Sequence, residues 1–263
     1  MRKLTINRQV EKKIHKGFKI LEKIDFGQLP FDNEAVELVT ASGHFLGTAY
    51  LSEQNKGLGW VISMKKITLD RSYFSHLFAE AKSKRQSYYQ SELDTAFRIF
   101  NQEGDGFGGL TIDLYEDYAV FSIYNAFVYQ IRDLIVAAFQ EVFPEVLGGY
   151  EKIRFKDPGY ESAHLFGQEA PETFCILENG VRYQVFLNDG LMTGIFLDQH
   201  EVRASLVDGL ATGKTLLNMF SYTAAFSVAA AMGGALETTS VDLAKRSREL
   251  SEAHFVANGL ELD

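Results

Sequence analysis

The chain has 263 residues, 46% of them hydrophobic and 23% charged, and carries a net charge of −9. Those proportions belong to a globular protein with room for one to three domains, and the acidic balance argues against a protein that coats nucleic acid indiscriminately. No apolar run approaches the roughly eighteen residues of a membrane span, the N-terminus lacks the apolar core of a signal peptide, and the single cysteine cannot form an intramolecular disulfide, so a cytoplasmic protein is expected.

The first seventy residues read as a small, mostly β module. LTINRQV, AVELVTA, FLGTAYLS and GLGWVISM are strand candidates separated by Gly, Asn and Ser turns. The charge here is opposite to that of the whole chain: residues 1–23 hold eight Lys/Arg against Glu11 and Glu22, and residues 65–85 hold six against Asp70 and Glu80. The rest carries 12 basic against 31 acidic residues. Such segregation suits one polyanion-binding face, with Lys12, Lys13 and Lys16 before Gly17, and Lys82, Lys84 and Arg85 further on, as RNA-binding candidates. Solvated helix and strand faces produce charge runs as well.

From Asp70 to Glu92 the spacing of Phe74, Leu77, Phe78 and Ala81 predicts a helix. FRIF, LTIDLY and YAVFSIY then predict an antiparallel meander, Val128 to Phe143 a helix that stops before Pro144, and Cys175–Leu177 with Val181–Leu187 a hairpin about Asn179-Gly180. Cys175 is expected to be a packed strand residue, because nothing near it in sequence would lower its pKa. No Cys/His cluster has metal-ligand spacing, and no metal is implied. Gly194 to Val207 predicts a helix in which Asp198 favours the N-terminal dipole and His200 lies at the surface.

The last segment is the most patterned. Thr215 to Met219 predicts a strand, Ser221 to Ala225 a small-residue turn, the Ala-rich run to Gly233-Gly234 a helix, Thr238 to Val241 a second strand, and LAKRSRELSEAHFVANG a second helix: a βαβα unit. In such a unit the second strand delivers an acid beside the first turn, and Asp242 stands nineteen residues after Thr223. Its carboxylate is placed to accept the hydroxyls of an adenosine ribose. The Gly-x-Gly-x-x-Gly that brings backbone to a pyrophosphate is missing, so S-adenosylmethionine, which has no phosphates, suits the site better than a dinucleotide. An ordinary βαβ core with a chance acid at the strand end is the plain alternative.

Three ordered stretches coincide with one family. FRIFNQEGDGFGGLTIDLY, TGIFLDQ, and LLNMFSYT with SVD resemble the signatures of the bacterial class I S-adenosylmethionine-dependent large-subunit rRNA methyltransferases that carry an N-terminal PUA domain. The resemblance implies a mixed α/β and α+β multidomain fold: a PUA-like β-barrel over residues 1–69, a central α+β domain over 70–190, and the N-terminal part of a Rossmann-like methyltransferase domain over 191–263. It also implies S-adenosylmethionine as cofactor, large-subunit ribosomal RNA as partner, and Gln199, Phe220, Ser221, Tyr222, Thr223 and Asp242 as cofactor-site residues. A homodimer is the assembly to consider, with neither metal nor membrane.

Two departures stand out. The family's Gly after the Thr is Ala224 here, whose methyl group limits backbone approach and φ; replacing it by Gly is expected to leave cofactor binding equal or tighter while slightly loosening the free protein. The family's Asp-Pro-Pro loop and downstream catalytic residues have no counterpart, so no catalytic residue is named and the chain is expected to be part of a longer protein. Cytosine C5 is the favoured target. Guanine methylation, or a non-catalytic RNA-binding protein with a vestigial cofactor fold, is the alternative.

Overall fold

The structure, a computed structural model, describes residues 1–26, 33–55, 57–156 and 159–262. The N-terminal module opens with β1 (Arg2–Thr5), α1 (Arg8–His15), β2 (Ile20–Glu22) and α2 (Lys23–Phe26), followed by β3 (Glu34–Val39), β4 (Phe45–Gln54) and β5 (Gly57–Ser63). Its five strands run in the order β1-β3-β4-β5-β2. The strand expected over LTINRQV stops at Thr5, because the side chain of Asn7 accepts the N–H groups of Gln9 and Val10, both at 2.9 Å, and starts a helix there. Val10 and Ile14, four apart, are the residues α1 buries against Leu4, Leu21 and Val61.

The connecting helix α3 (Arg71–Lys84) is capped by Asp70 and buries Phe74, Leu77, Phe78 and Ala81. It ends earlier than expected. Arg85 leaves helical geometry, a short α4 (Gln86–Tyr89) follows, and the Arg85 guanidinium reaches back to the carbonyl of Ala81 and across to Asp105.

The central sheet is formed by β6 (Ala96–Asn101), β7 (Leu110–Tyr115) and β8 (Tyr118–Ile123), then α5 (Ala126–Gln130) and α6 (Arg132–Val142), then β9 (Gly148–Ile153) and β10 (Ser162–Gly167). Its order is β10-β9-β8-β7-β6, with the meander antiparallel and the β8–β9 pair parallel across the helical crossover. The expected single helix over 128–143 is broken at Ile131. Aromatic rings fill the space beneath α3 and α6, with Phe78 edge-on to Phe100 at 5.3 Å and to Phe139 at 5.8 Å. Tyr50, Trp60 and Ile62 of the N-terminal module belong to this same core, so the two units pack as one body.

The loop between β6 and β7 makes that joint. Asp105 is buried and accepts from Arg85, Lys84 and the N–H of Asn101, while Glu103 accepts from the Trp60 indole. Burial opposes the charge of Asp105, yet Arg85, the Asn101 N–H and Lys84 hold its carboxyl below the ordinary value. A side chain at Gly108 would start 2.3 Å from the Trp60 ring, and the Gly108 carbonyl accepts from Tyr50 at 2.7 Å.

The hairpin β11 (Phe174–Glu178) and β12 (Val181–Val185) shares a core with Ala96, Tyr115 and Val120 of the central sheet and with Ala225 and Val228 of the last unit. Cys175 is exposed rather than packed, since the alternation along β11 turns Ile176 and Glu178 inward. The last unit contains α7 (His200–Ser205), β13 (Thr215–Met219), α8 (Ala225–Met232), β14 (Glu237–Val241) and α9 (Lys245–Ala257), with β13 and β14 parallel. The expected βαβα order is present within a few residues at every boundary. Among the described residues no helix is long and apolar enough to cross a membrane.

Candidate functional site

The backbone between β13 and α8 is unusual in a way that composition conceals. Phe220, Tyr222 and Ala224 have φ of 56°, 50° and 58°, so every second residue of the turn is left-handed and none is glycine. Strain of this kind persists only where the surroundings over-determine it. Here they do. Ser221 donates its N–H to the carbonyl of Val241 at 3.0 Å, Ala224 donates to Ser221 at 2.8 Å, and Tyr222 donates to Asp242 Oδ2 at 2.8 Å.

A second strap comes from the segment before α7. Thr223 Oγ1 donates to the carbonyl of Gly194 at 2.7 Å, and the Gly194 N–H donates to Tyr222 Oη at 3.1 Å. Gly194 has φ 100°, and a side chain there would start 2.9 Å from the carbonyl oxygen of Gln184. These demands explain why the helix expected over 194–207 begins only at His200, after a single 3-10 turn at Leu197–Gln199. Arg203, buried against Glu178, also donates to the carbonyl of Phe196 at 2.7 Å, and the Phe196 ring stands 5.4 Å from that of Tyr222. His200, expected at the surface, is instead half-buried with Nε2 2.9 Å from Asp94 Oδ1.

The third strap is His254 of α9. Fully buried, it lies with Nδ1 2.9 Å from the carbonyl of Thr223 and Nε2 3.0 Å from that of Gln184. Burial pushes its pKa down, against the pull of the two carbonyls. A neutral ring donates to only one of them. No motif marks this residue in the sequence, but Ser247, Ser251 and His254 recur at four and three along α9, the spacing of a polar seam facing inward.

Asp242, at the carboxyl end of β14, accepts from Tyr222 N and, through Oδ1, from Ala244 N at 2.9 Å and Ser247 Oγ at 3.2 Å. The Ala244 and Tyr222 N–H groups hold its carboxyl below the ordinary value, so it is anionic at neutral pH. The Ser247 hydroxyl and the Leu243 N–H act on the carboxylate in the same sense. It is also exposed, as are Phe220 at 88% and Leu243 at 100%. A cavity of about 740 Å³ touches Ser221, Asp242 and Ser247 at this end; the remainder follows the outer edge of β14 towards Ala235.

Of the sequence-predicted cofactor residues, Tyr222 and Asp242 are joined by a direct hydrogen bond, Ser221 is held by Val241 and Thr223 by Gly194 and His254, and Phe220 precedes them in the same turn. Gln199 is exposed, and its side chain makes no hydrogen bond among the described residues. The basic candidates divide. Lys12 and Lys16 are exposed on and just after α1, whereas Lys13 is paired with Glu22 and Asp25, Lys82 with Glu145, and Lys84 and Arg85 with Asp105. Among the described residues no group of three or more His, Cys, Asp or Glu is placed to hold a metal ion.

Residues 152–263 match the family model described as S-adenosylmethionine-dependent methyltransferase, and residues 4–64 match the PUA-like domain model. The chain is 40% identical over 272 residues to YwbD of Bacillus subtilis, a protein named among the ribosomal RNA large subunit methyltransferases, covering 100% of this chain and 68% of that one. It is 32% identical over 240 residues to ribosomal RNA large subunit methyltransferase I of Aeromonas salmonicida, covering 89% of this chain and 60% of the relative. A solved Streptococcus mutans structure, described as a SAM-dependent methyltransferase, superposes with a TM-score of 0.96 at 61% identity, over 100% of this chain and 69% of that chain. The structure of SMU.776, described as a methyltransferase complexed with SAH, has the same identity and TM-score and covers 100% of this chain and 68% of its own. The chain thus spans about two thirds of the length of these relatives.

Proposed function

Since the chain belongs to the S-adenosylmethionine-dependent ribosomal RNA large subunit methyltransferases, we propose that the whole protein transfers a methyl group from S-adenosylmethionine to a base of large-subunit ribosomal RNA, with cytosine C5 as the favoured target. The observation that carries the reading is the left-handed turn 220–224, clamped between Asp242 and Gly194 at the carboxyl ends of two parallel strands. The residues present fit the cofactor. Asp242 presents an exposed, ionised carboxylate to the ribose hydroxyls, and Phe220 and Leu243 are exposed apolar neighbours for the adenine. When bound, the cofactor supplies an electrophilic methyl group on a sulfonium.

This chain's own contribution is to bind and orient. Straps from Gly194 and His254 hold the turn before the ligand arrives, so less ordering opposes binding. RNA affinity is proposed to begin at the N-terminal module, where a cavity of about 320 Å³ lies between β5 and the α1–β2 connection. Phe18, 61% exposed, lies beside it, with Lys12 and Lys16 nearby: an aromatic face for a base and cations for phosphates. The other basic candidates are proposed to hold the fold, on the support of their carboxylate partners.

The test has two arms. S-adenosylmethionine at about 100 times its dissociation constant should add about 2.7 kcal/mol to stability and raise the thermal midpoint. Methylated rRNA digested to nucleosides should then yield 5-methylcytidine. A methylguanosine would replace cytosine by guanine as the target, and no midpoint shift with the cofactor would leave the non-catalytic RNA-binding alternative.

A further inference from the structure

Two crevices adjoin in the central domain, one of about 440 Å³ and one of about 250 Å³, and both are lined by Arg154 and Leu191. The saddle between them is the hydrogen bond from Arg154 Nη2 to the carbonyl of Leu191, 2.9 Å long. Arg154 is exposed, and its other guanidinium N–H groups have no hydrogen-bond partner among the described residues. The larger crevice continues past Phe155 and Lys156 to Tyr160, whose hydroxyl donates to Glu151 and pairs with Tyr129 Oη at 2.9 Å, fixing the ring in place.

The smaller crevice runs the other way, to Phe196, half exposed and 5.4 Å from the Tyr222 ring of the cofactor turn. Its inner wall is locked. Asp113 takes two Arg98 nitrogens at 2.8 and 3.1 Å, and the buried Lys152 ammonium donates to Ser162 Oγ and to the carbonyls of Leu187 and Gly190. Burial lowers the Lys152 pKa to about 8. With Arg98 and Lys152 committed inward, Arg154 and Lys156 are the exposed cations of the lining, which also holds Glu161 and Asp198.

We propose that these joined crevices form the track of a single-stranded segment of the RNA substrate, with a phosphate on the Arg154 fork and bases against Tyr160 on one side and Phe196 on the other. The proposal rests on the RNA-methylating function above and adds the route by which the strand reaches the cofactor turn. Arginine suits the saddle because its planar fork leaves several donors for one phosphate after the Leu191 hydrogen bond is made. Aromatic faces at either end suit unpaired bases, since a duplex keeps its bases stacked on one another.

The test measures fluorescence anisotropy of a short, labelled single-stranded RNA of mixed sequence with the full chain across a salt series. Arg154→Glu should weaken binding at least tenfold and lower the slope of log affinity against log salt by about 0.7 for each phosphate no longer neutralised. Arg154→Lys, which keeps the charge, should retain most of the slope. Phe196→Ala should weaken binding about fivefold to hundredfold with the slope unchanged. The midpoint shift caused by S-adenosylmethionine should survive in Arg154→Glu. Unaltered affinity and slope in both Arg154→Glu and Phe196→Ala, with the parent still binding RNA, overturns the track alone. A parent that binds no RNA overturns the RNA reading of the whole protein and this proposal with it. Should Arg154→Glu fail to fold, Arg154→Gln, which removes the charge without reversing it, and Phe196→Ala decide between the same outcomes.

Discussion

The loop from Asn101 to Gly109 and the turn from Phe220 to Ala224 are both short, both join a strand to the next element, and both carry motif residues. In the first, every charge is spent inside the protein: Asp105 lies between Arg85 and Lys84, Glu103 holds Trp60, and Gly108 gives way to the Trp60 ring. In the second, the charge faces out, because the Asp242 carboxylate keeps solvent access while its neighbours are strained and strapped. A motif rich in Gly and acids therefore does not by itself announce a ligand site. What separates the two is whether the carboxylate meets a cation of its own chain.

That contrast is best broken at Asp105. Asp105→Ala leaves Arg85 Nη2 and the Asn101 N–H without their acceptor, and should destabilise by about 3 kcal/mol, the lower part of the range for a broken buried pair because Lys84 reaches the site from the surface and Arg85 keeps the carbonyls of Ala81 and Arg98. Calorimetry should show a midpoint lower by roughly 10 °C, with the affinity for S-adenosylmethionine unchanged at low temperature. A midpoint within a degree of the parent would show that the ion pairs do not make the joint.

Asp242→Ala should behave in the opposite sense. The midpoint should fall less than in Asp105→Ala, because the bonds lost from Tyr222, Ala244 and Ser247 are to an exposed carboxylate, whereas cofactor affinity should fall about tenfold to hundredfold, the usual worth of hydrogen bonds to a charged acceptor. Isothermal titration measures this directly, and equal affinity in parent and variant would remove Asp242 from the site.

His254 sharpens the comparison through pH. Its folded-state pKa lies below the unfolded value near 6.5, so above that pH the ring is neutral in both states and contributes no pH dependence. As pH falls through 6.5 the unfolded chain takes up the proton first. Stability is therefore lost from about pH 6.5 downwards, at no more than about 1.4 kcal/mol per pH unit, until the folded-state pKa is passed. Urea midpoints at pH 7.5 and 5.5 should differ more in the parent than in His254→Gln; equal differences would contradict the assignment.

The smallest effect is expected at Ala224. Glycine relieves a left-handed residue by about 1–2 kcal/mol, but removes a buried methyl worth about 0.8 and adds unfolded-state entropy worth about 0.4–1. These cancel to within about 1 kcal/mol, so Ala224→Gly should be nearly neutral in thermal midpoint. The left-handed φ of Ala224 thus offsets the slight loosening expected from removing its methyl group. A midpoint change beyond a few degrees in either direction would show that the turn's strain is not shared as described.

Periodicity alone made the meander, the buried face of α3, the β11–β12 hairpin and the βαβα unit legible, because burying one face of a strand or helix leaves a repeat of two or of three and four in the chain. Asp242 was legible for the same reason: a parallel pair places the residue after its second strand beside the turn that follows the first. Tertiary structure alone decided which cations are free. Lys13, Lys82, Lys84 and Arg85 are neutralised by Asp25, Glu145 and Asp105, residues 12 to 63 positions away whose approach no local pattern encodes. Likewise Gly194 and His254 reach Thr223 of the 220–224 turn from 29 and 31 residues away, and Cys175 faces solvent because Ile176 and Glu178 on the same strand face the core. Local sequence sets conformational preference within a few residues, whereas which charge meets which, and which backbone is strained, depends on how separate elements pack.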